Sequence, residues 1–96
     1  MLFVVTCLDK EGSLQLRLAT REAHLAYGKE TGAIRLGGPL LNAQNEMVGS
    51  MMIVERADLA AARIWAQNDP YAKAGLFQST DIRPWKAVIN TCGAAL

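Results

Sequence analysis

The stretch "IRLGGPLLNAQNEMVGSMMIVE", residues 34–55, decides the fold of this chain. Its two ends, residues 34–42 and 47–55, are rich in apolar and β-branched residues, which is typical of strands. The short polar segment "AQNE", residues 43–46, separates them and predicts a turn. We therefore expect an antiparallel hairpin in the middle of the chain.

Gly37, Gly38 and Pro39 interrupt the first strand of this hairpin. No GxGxxG or GKS/T pattern surrounds the glycines, so they are not expected to form a phosphate-binding loop. The pair favours a β-bulge over a ligand contact, and Gly38 stays a candidate substrate contact. Pro39 predicts an edge strand, because proline cannot donate a hydrogen bond to a sheet ladder.

Upstream of the hairpin, "LFVVTCL", Leu2 to Leu8, predicts a strand that is apolar on both faces. A helix is expected from about Leu16 to Lys29, ending near Gly32. Its apolar side, which we expect to pack, comprises Leu18, Ala19, Ala23, Leu25 and Ala26. Its other side, which fits a solvated face, comprises Arg17, Thr20, Arg21, His24 and Gly28.

Downstream of the hairpin, "ADLAAARIWAQN", residues 57–68, predicts a second helix with Asp58 as its N-cap. Pro70 should end this helix, because the residue before a proline avoids the helical conformation. Residues 76–89 alternate like a fourth strand, in which Pro84 indicates an edge or an end. The tail "NTCGAAL", residues 90–96, has no regular pattern, and we expect it to be mobile.

The predicted element order is β-α-β-β-α-β, in a single domain covering residues 1–96 with a core of about residues 1–89. That order predicts an α+β, ferredoxin-like plait: an antiparallel four-stranded sheet with both helices on one face. The first and third strands are apolar on both sides, so the face without helices needs a cover. A symmetric dimer that packs sheet on sheet supplies one.

The composition restricts the classes of function. A chain of 96 residues that is 51% hydrophobic and 20% charged is a folded domain and not a disordered segment. Its net charge of +1 and its lack of a basic run argue against nucleic-acid binding. No apolar stretch reaches the ~18 to 20 residues of a membrane span, and the start resembles no signal peptide. We expect a cytoplasmic protein with no membrane partner.

The two cysteines, Cys7 and Cys92, should be reduced thiols in that compartment. Cys7 lies in an apolar strand pattern, which favours a buried, inert thiol over a nucleophile in an electropositive niche. One histidine and two distant cysteines do not have the spacing of a metal site. We therefore expect no metal and no cofactor.

His24 is the single histidine, and "DPY", Asp69 to Tyr71, follows the second predicted helix. Histidine changes its charge near neutral pH, which suits it to acid–base chemistry. Taken singly, however, His24 fits a solvated helix face and Asp69 fits a turn ahead of Pro70. No serine stands in the sequence context of a nucleophile elbow, so a Ser-His-Asp triad is not predicted.

Five segments in this order resemble the YCII-related (YciI-like) family: "RLATREAHLAYG", "GGPLL", "GSMMIVE", "WAQNDPYAKAGLF" and "IRPW". The resemblance covers about Met1 to Ile89. It implies a dimeric α/β barrel, in which two ferredoxin-like subunits join their sheets, and an active pair formed by His24 and Asp69. Some members of the family carry out elimination or dehydrochlorination on ring compounds.

These expectations combine into a small homodimer, or a larger assembly, that acts on a small organic molecule. His24 and Asp69 would abstract a proton for elimination or isomerisation. Tyr71 would donate to the substrate, and Arg17, Arg21 or Arg35 would hold an anionic group. Two alternatives stay open: a non-enzymatic binding or assembly module, and cofactor-free oxygenation on the same barrel.

Overall fold

The computed structural model describes all 96 residues. Its strands are β1 (Leu2–Asp9), β2 (Ile34–Leu41), β3 (Met47–Glu55) and β4 (Phe77–Trp85), and its helices are α1 (Leu14–Thr31), α2 (Leu59–Gln67) and α3 (Pro70–Lys73). The predicted ferredoxin-like α+β fold is confirmed, with one short helix, α3, added to the predicted order. No helix is long and apolar enough to cross a membrane.

The four strands form one antiparallel sheet in the order β2-β3-β1-β4. β1 lies in the middle, where Val5 faces Met52 on one side and Ile82 on the other. β2 and β4 are therefore the edges, and they carry Pro39 and Pro84 as predicted. Proline has no N–H group, and the outer side of an edge strand has no neighbouring strand that would need one.

The core lies between the sheet and the helices. Alternate residues of β1, namely Phe3, Val5 and Cys7, are almost fully buried. Val5 and Cys7 pack with Met52 and Val54 of β3 and with Trp65 and Ala66 of α2. The side chains between them on β1 point to the opposite sheet face, because successive strand residues alternate.

That opposite face carries apolar side chains at both its centre and its edge. Ile53 is buried there, whereas Leu8 and Leu36 are 48% and 43% exposed. Exposed apolar groups on a sheet face that has no helix cover are consistent with a surface that meets another chain. The predicted dimer itself stays a prediction.

The predicted orientation of α1 is wrong. Leu18 and Leu25 are 45% and 55% exposed, and the buried residues of α1 are Arg17, His24 and Gly28. The two polar residues can turn inward because each finds a carboxylate beneath the helix. Gly28 allows close approach, since a Cβ atom there would lie 2.8 Å from Ile34 Cδ1. Gly32 ends the helix as predicted, with a left-handed φ of 62°.

Pro70 does not simply end the second helix. α2 stops at Gln67, and Pro70 is the first residue of α3, whose N-cap is Asp69. The fixed φ of proline suits that first helical position, where its missing N–H is not needed. Asp58 caps α2 as predicted, accepting a hydrogen bond from Ala61 N.

Two further predictions need correction. Gly37 and Gly38 pair regularly with Met52 and Met51, and the irregularities of β2 lie on either side of this segment, not at the glycines. β4 ends at Trp85 and not at residue 89. Trp85 faces Leu2, the first residue of β1, so the neighbouring strand offers no partner further along.

Candidate active site

His24 and Asp69 meet beneath α1. Nδ1 of His24 lies 2.9 Å from both Oδ1 and Oδ2 of Asp69. His24 is 9% exposed and Asp69 is 1% exposed. A carboxylate can only accept hydrogen bonds, so Nδ1 carries the hydrogen and donates it. In the neutral ring Nε2 is then free to accept a proton.

Asp69 is held in place by the segment that follows it. Its Oδ1 also accepts a hydrogen bond from the backbone N–H of Tyr71, at 2.9 Å. Pro70 between them fixes the first turn of α3. The succession of an acid, a proline and a tyrosine therefore points a capping carboxylate at the histidine.

Tyr71 lies against the histidine ring. The two ring centroids are 4.2 Å apart and the planes are inclined by 18°, which is a stacked arrangement. The guanidinium carbon of Arg17 lies 4.8 Å from the Tyr71 centroid. Burial raises the pKa of Tyr71 above its ordinary value, although the positive charges of Arg17 and Arg21 oppose the shift. The phenol therefore stays protonated at neutral pH and is available as a donor.

Arg17 is 3% exposed and is bound on two sides. Its Nε and Nη2 donate to the two carboxylate oxygens of Asp9 at 2.7 and 2.9 Å. Nη2 also donates to Ser50 Oγ at 2.8 Å. Burial by itself would lower the pKa of Arg17, but the hydrogen bonds and charge of Asp9 outweigh it, and the pKa is raised. The charge of Arg17 is thus compensated within the protein.

These residues border a cavity of about 230 Å³ between α1 and the β2–β3 hairpin. Its polar lining comprises Arg17, Arg21, His24, Ser50 and Tyr71, and Ile34, Met47 and Met52 supply apolar surface. No buried side-chain nitrogen or oxygen lacks a hydrogen-bond partner. Because Nε2 of His24 has no partner in the protein, it must reach the accessible surface of this cavity.

The cavity collects most, but not all, of the site residues predicted from the sequence. His24, Tyr71, Arg17 and Gly38 line it, and Asp69 lies directly behind His24. Arg35 does not belong to it. That residue is exposed on β2, where its charge acts on Glu55.

Arg21 is another of the three arginines expected to hold an anionic group. It lines the cavity and forms no ion pair with any carboxylate of the chain. Its uncompensated charge makes it the arginine that can attract an anionic group.

Sequence reasoning missed Asp9 and Ser50. Asp9 ends β1, one residue beyond the predicted strand, and Ser50 lies within the apolar run of β3. The available signal was the placement of Ser50, because a polar residue inside an otherwise apolar strand needs a hydrogen-bond partner when it is buried. Nothing in the sequence identified that partner as Arg17.

Cys7 is buried and Cys92 is exposed, and both are free thiols. The prediction that Cys7 is buried and unpaired is confirmed. Burial raises the pKa of Cys7 to about 11, although a hydrogen bond with Thr80 opposes the shift. A thiol of such high pKa is a poor nucleophile at neutral pH.

A second depression, of about 390 Å³, lies between α2 and β4 and is lined by residues that include Arg63, Gln67, Thr80 and Asp81. It is larger than the cavity at His24. It contains no histidine, and its acid, Asp81, is exposed and paired with Arg83. The smaller cavity, with its buried and oriented polar groups, is therefore the candidate active site.

The chain matches the family model of the YCII-related domain over residues 1–86. Protein YciI of Escherichia coli is 35% identical over 97 residues, which cover 92% of this chain and 99% of that protein. An uncharacterized protein of Haemophilus influenzae is 34% identical over the same shares of the two chains.

Solved structures show the same fold. 5-chloro-2-hydroxyhydroquinone dehydrochlorinase (TftG) from Burkholderia phenoliruptrix, in complex with 2,5-dihydroxybenzoquinone, is 39% identical with a TM-score of 0.83. The likeness covers 90% of this chain and 94% of that one. An antibiotic biosynthesis monooxygenase has a TM-score of 0.58 over 93% of this chain and 100% of its own, at 14% identity, which is a likeness of fold alone.

Proposed function

Because this chain belongs to the YCII-related family, we propose that it is an enzyme that removes a proton from a small, hydroxylated ring compound, leading to elimination or isomerisation. The observation that carries the proposal is the geometry of His24. Both oxygens of Asp69 hold its Nδ1 at 2.9 Å, while Nε2 is left for the cavity.

In this proposal His24 Nε2 is the general base. Asp69 fixes the ring and its tautomer, and its negative charge stabilises the imidazolium that forms when the proton arrives. The stacked Tyr71 holds the ring from another side, and its hydroxyl is a donor for a substrate oxygen. Arg21 attracts an anionic substituent, because its charge is not compensated.

The size and lining of the cavity support a single-ring substrate. About 230 Å³ lies below the ~300 to 1,000 Å³ of pockets for drug-sized ligands. Its apolar wall suits a flat ring, and its polar groups suit oxygen substituents. The similar dehydrochlorinase acts, by its name, on such a ring. Loss of HCl from a ring requires a group that takes the proton while chloride departs, which is the task assigned to His24.

We also propose that two chains pair through the sheet face opposite the helices. The exposed Leu8 and Leu36 favour this pairing. The same face is what favours the second candidate function, a non-enzymatic assembly module. Cofactor-free oxygenation has weaker support, because the likeness to a monooxygenase is one of fold alone.

The direct test is to supply 5-chloro-2-hydroxyhydroquinone and measure chloride release, and to measure exchange of ring protons with D₂O by NMR. The wild type should catalyse at least one of these reactions. His24→Gln should slow it by about 10²- to 10⁴-fold, the usual contribution of a general base. Asp69→Asn should slow it over the same range, because an amide can donate to Nδ1 and select the wrong tautomer.

Arg35→Gln is the matched control, since this exposed arginine lies outside the cavity. Its rate should equal that of the wild type. A His24→Gln variant that is as active as the wild type would remove His24 as the base. A wild type that is inert in both assays would favour the assembly module.

A further inference from the structure

Ser50 is a buried hydroxyl whose hydrogen has no acceptor in the protein. The residue lies on β3, is 3% exposed and lines the cavity. Its one hydrogen bond is accepted from Nη2 of Arg17 at 2.8 Å. A serine hydroxyl has one hydrogen to donate. Since buried polar groups are rarely left unpaired, the donor of Ser50 is available to whatever fills the cavity.

The partner of Ser50 makes that hydroxyl a stronger donor. Arg17 is fixed by two hydrogen bonds to Asp9, so the guanidinium cannot turn away from Ser50. A cation that donates to a hydroxyl oxygen draws electron density from its O–H bond, and chains of hydrogen bonds strengthen one another in this way. Asp9, Arg17 and Ser50 therefore form a chain that ends on a polarised O–H group in the cavity.

We propose that Ser50 donates a hydrogen bond to the ligand oxygen on which negative charge develops when His24 accepts a proton. This assignment rests on the proposed function and narrows its substrate class to enols, phenols and hydroxyquinones. As Nε2 of His24 takes the proton from an O–H bond, or from a C–H bond beside a carbonyl, the electron pair moves to the ligand oxygen. Ser50 stabilises that oxyanion and keeps its own proton.

The assignment also gives Arg17 a role different from the one predicted, and it gives Asp9 a role for the first time. Arg17 was expected to bind an anionic substrate directly. Its charge is instead compensated by Asp9, and it acts on the ligand through Ser50. Arg17 and Asp9 are thus positioning residues, and Ser50 is the group that touches the ligand.

Binding of ionised chloro- and nitrophenols tests this role without requiring turnover. The compounds are chosen to be ionised at the assay pH while differing in basicity, and their affinities are measured by quenching of tryptophan fluorescence. A donor to an oxyanion should favour the more basic phenolates. Ser50→Ala should weaken the most basic one by about 10- to 100-fold, as expected for a hydrogen bond to a charged group, and weaken the least basic one much less.

Ser50→Thr keeps the hydroxyl and should retain the dependence on basicity, and it serves as the readout if Ser50→Ala does not fold. If Ser50 only supports Arg17, then Ser50→Ala should lower the affinity for all phenolates by the same factor. That result would overturn the assignment. A wild type that binds none of them would overturn it as well. The two proposals can fail separately. If Ser50→Ala does not change the dependence of affinity on basicity while the wild type still exchanges ring protons, only the role of Ser50 is excluded. If His24→Gln still exchanges ring protons at the wild-type rate, only the role of His24 as the base is excluded.

Discussion

Arg17 and His24 are polar residues on the buried side of α1, and a carboxylate faces each of them. Taking a charge out of water is unfavourable, and a partner with good hydrogen-bond geometry offsets that loss. The pair of Arg17 and Asp9 has such geometry, with two parallel N–H···O contacts. Removing one partner leaves the other buried without compensation.

Asp9→Asn should therefore destabilise the protein by about 3 to 5 kcal/mol, the usual loss when one member of a buried pair is removed. Urea denaturation followed by circular dichroism measures it. Asp81→Asn is the matched control, because it breaks an ion pair on the surface: Asp81 is 56% exposed and its partner Arg83 is 74% exposed. This variant should change the free energy of unfolding by at most about 1 kcal/mol. Equal effects of the two variants would contradict the buried role of Asp9.

Cys7 and Cys92 should differ sharply in reactivity. The pKa of Cys7 is raised from 9.0 to about 11 by burial, so its thiolate fraction near pH 8 falls by roughly 100-fold. Labelling of the native protein with a thiol reagent at pH 8 should modify the exposed Cys92 quickly and Cys7 slowly. Rapid modification of both residues would reopen the hypothesis of a nucleophilic Cys7.

The raised pKa of Cys7 should also lower the stability of the folded protein above pH 9. An unfolded Cys7 ionises near pH 9 and the folded one near pH 11, so unfolding releases a proton between these values. Stability is unaffected by this group below pH 9 and falls by about 3 kcal/mol as pH rises to 11. Cys7→Ala should lack that part of the fall, whereas Cys92→Ala should retain it.

At the scale of residues, the sequence pointed to His24 and Asp69 but not to Asp9 or Ser50. A single histidine and a DPY triplet can be recognised from residue type and from the family motifs. Asp9 pairs with an arginine eight residues away, and Ser50 lies 33 residues beyond that arginine. The three residues come together only because the end of β1 and the middle of β3 both lie beneath α1. Local pattern carries no information about such contacts.

At the scale of elements, the sequence pattern predicted the four strands, apart from the end of β4, but it predicted the wrong buried side for α1. Each strand takes its position from alternating side chains and from hydrogen bonds to its neighbours, which are local signals. Which side of α1 is buried depends on the side chains that the rest of the fold places beneath the helix. There the carboxylates of Asp9 and Asp69 stabilise a polar side turned inward, and Leu18 and Leu25 stay exposed.

The gap between α1 and the β2–β3 hairpin depends on a residue without a side chain. A Cβ atom on Gly37 would lie 3.1 Å from Met52 Cγ and 3.2 Å from Ile34 Cγ2, both of which belong to residues that line the cavity. The pair of glycines was predicted to form a bulge. Its observed effect at Gly37 is to leave room at the floor of the cavity.

Gly37→Ala should therefore fold and bind large ring ligands less well than small ones. The flexible Met52 side chain can move by a few tenths of an ångström, so the fold should survive with a loss of about 1 kcal/mol. The measurement compares the affinities of a monohydroxylated and a trihydroxylated ring, and the smaller ligand is the internal control. Equal loss for both ligands would mean that Gly37 does not set the size of the cavity.

At the scale of the whole molecule, the ferredoxin-like fold and the family were both predicted from the sequence and are confirmed. The order of elements decides the fold, and five separated motifs decide the family. The pairing of two chains depends on the shape and chemistry of a surface, which no sequence motif specifies. The dimer therefore stays a prediction. Its physical basis is the pair of exposed leucines on the sheet face without helices.

We expect light scattering at micromolar concentration to give twice the mass of one chain. The interface should bury at least the ~1,200 Å² of total surface found in specific complexes. Leu36→Lys should yield monomers, because it places a charge among the apolar side chains of that face. Leu18→Lys, on the exposed side of α1, is the control and should stay dimeric. A wild-type monomer would contradict the barrel arrangement.

The central claim is that Asp69 fixes His24 so that Nε2 is the free nitrogen in the cavity. Since His24 is the only histidine, the ¹⁵N NMR spectrum of its ring in uniformly labelled protein, at a pH where the ring is neutral, tests this claim most directly. We predict that Nδ1 bears the hydrogen, that a bound phenolate or hydroxyquinone shifts Nε2 far more than Nδ1, and that Asp69→Asn abolishes the preference. A wild-type ring that carries its hydrogen on Nε2 would contradict the account.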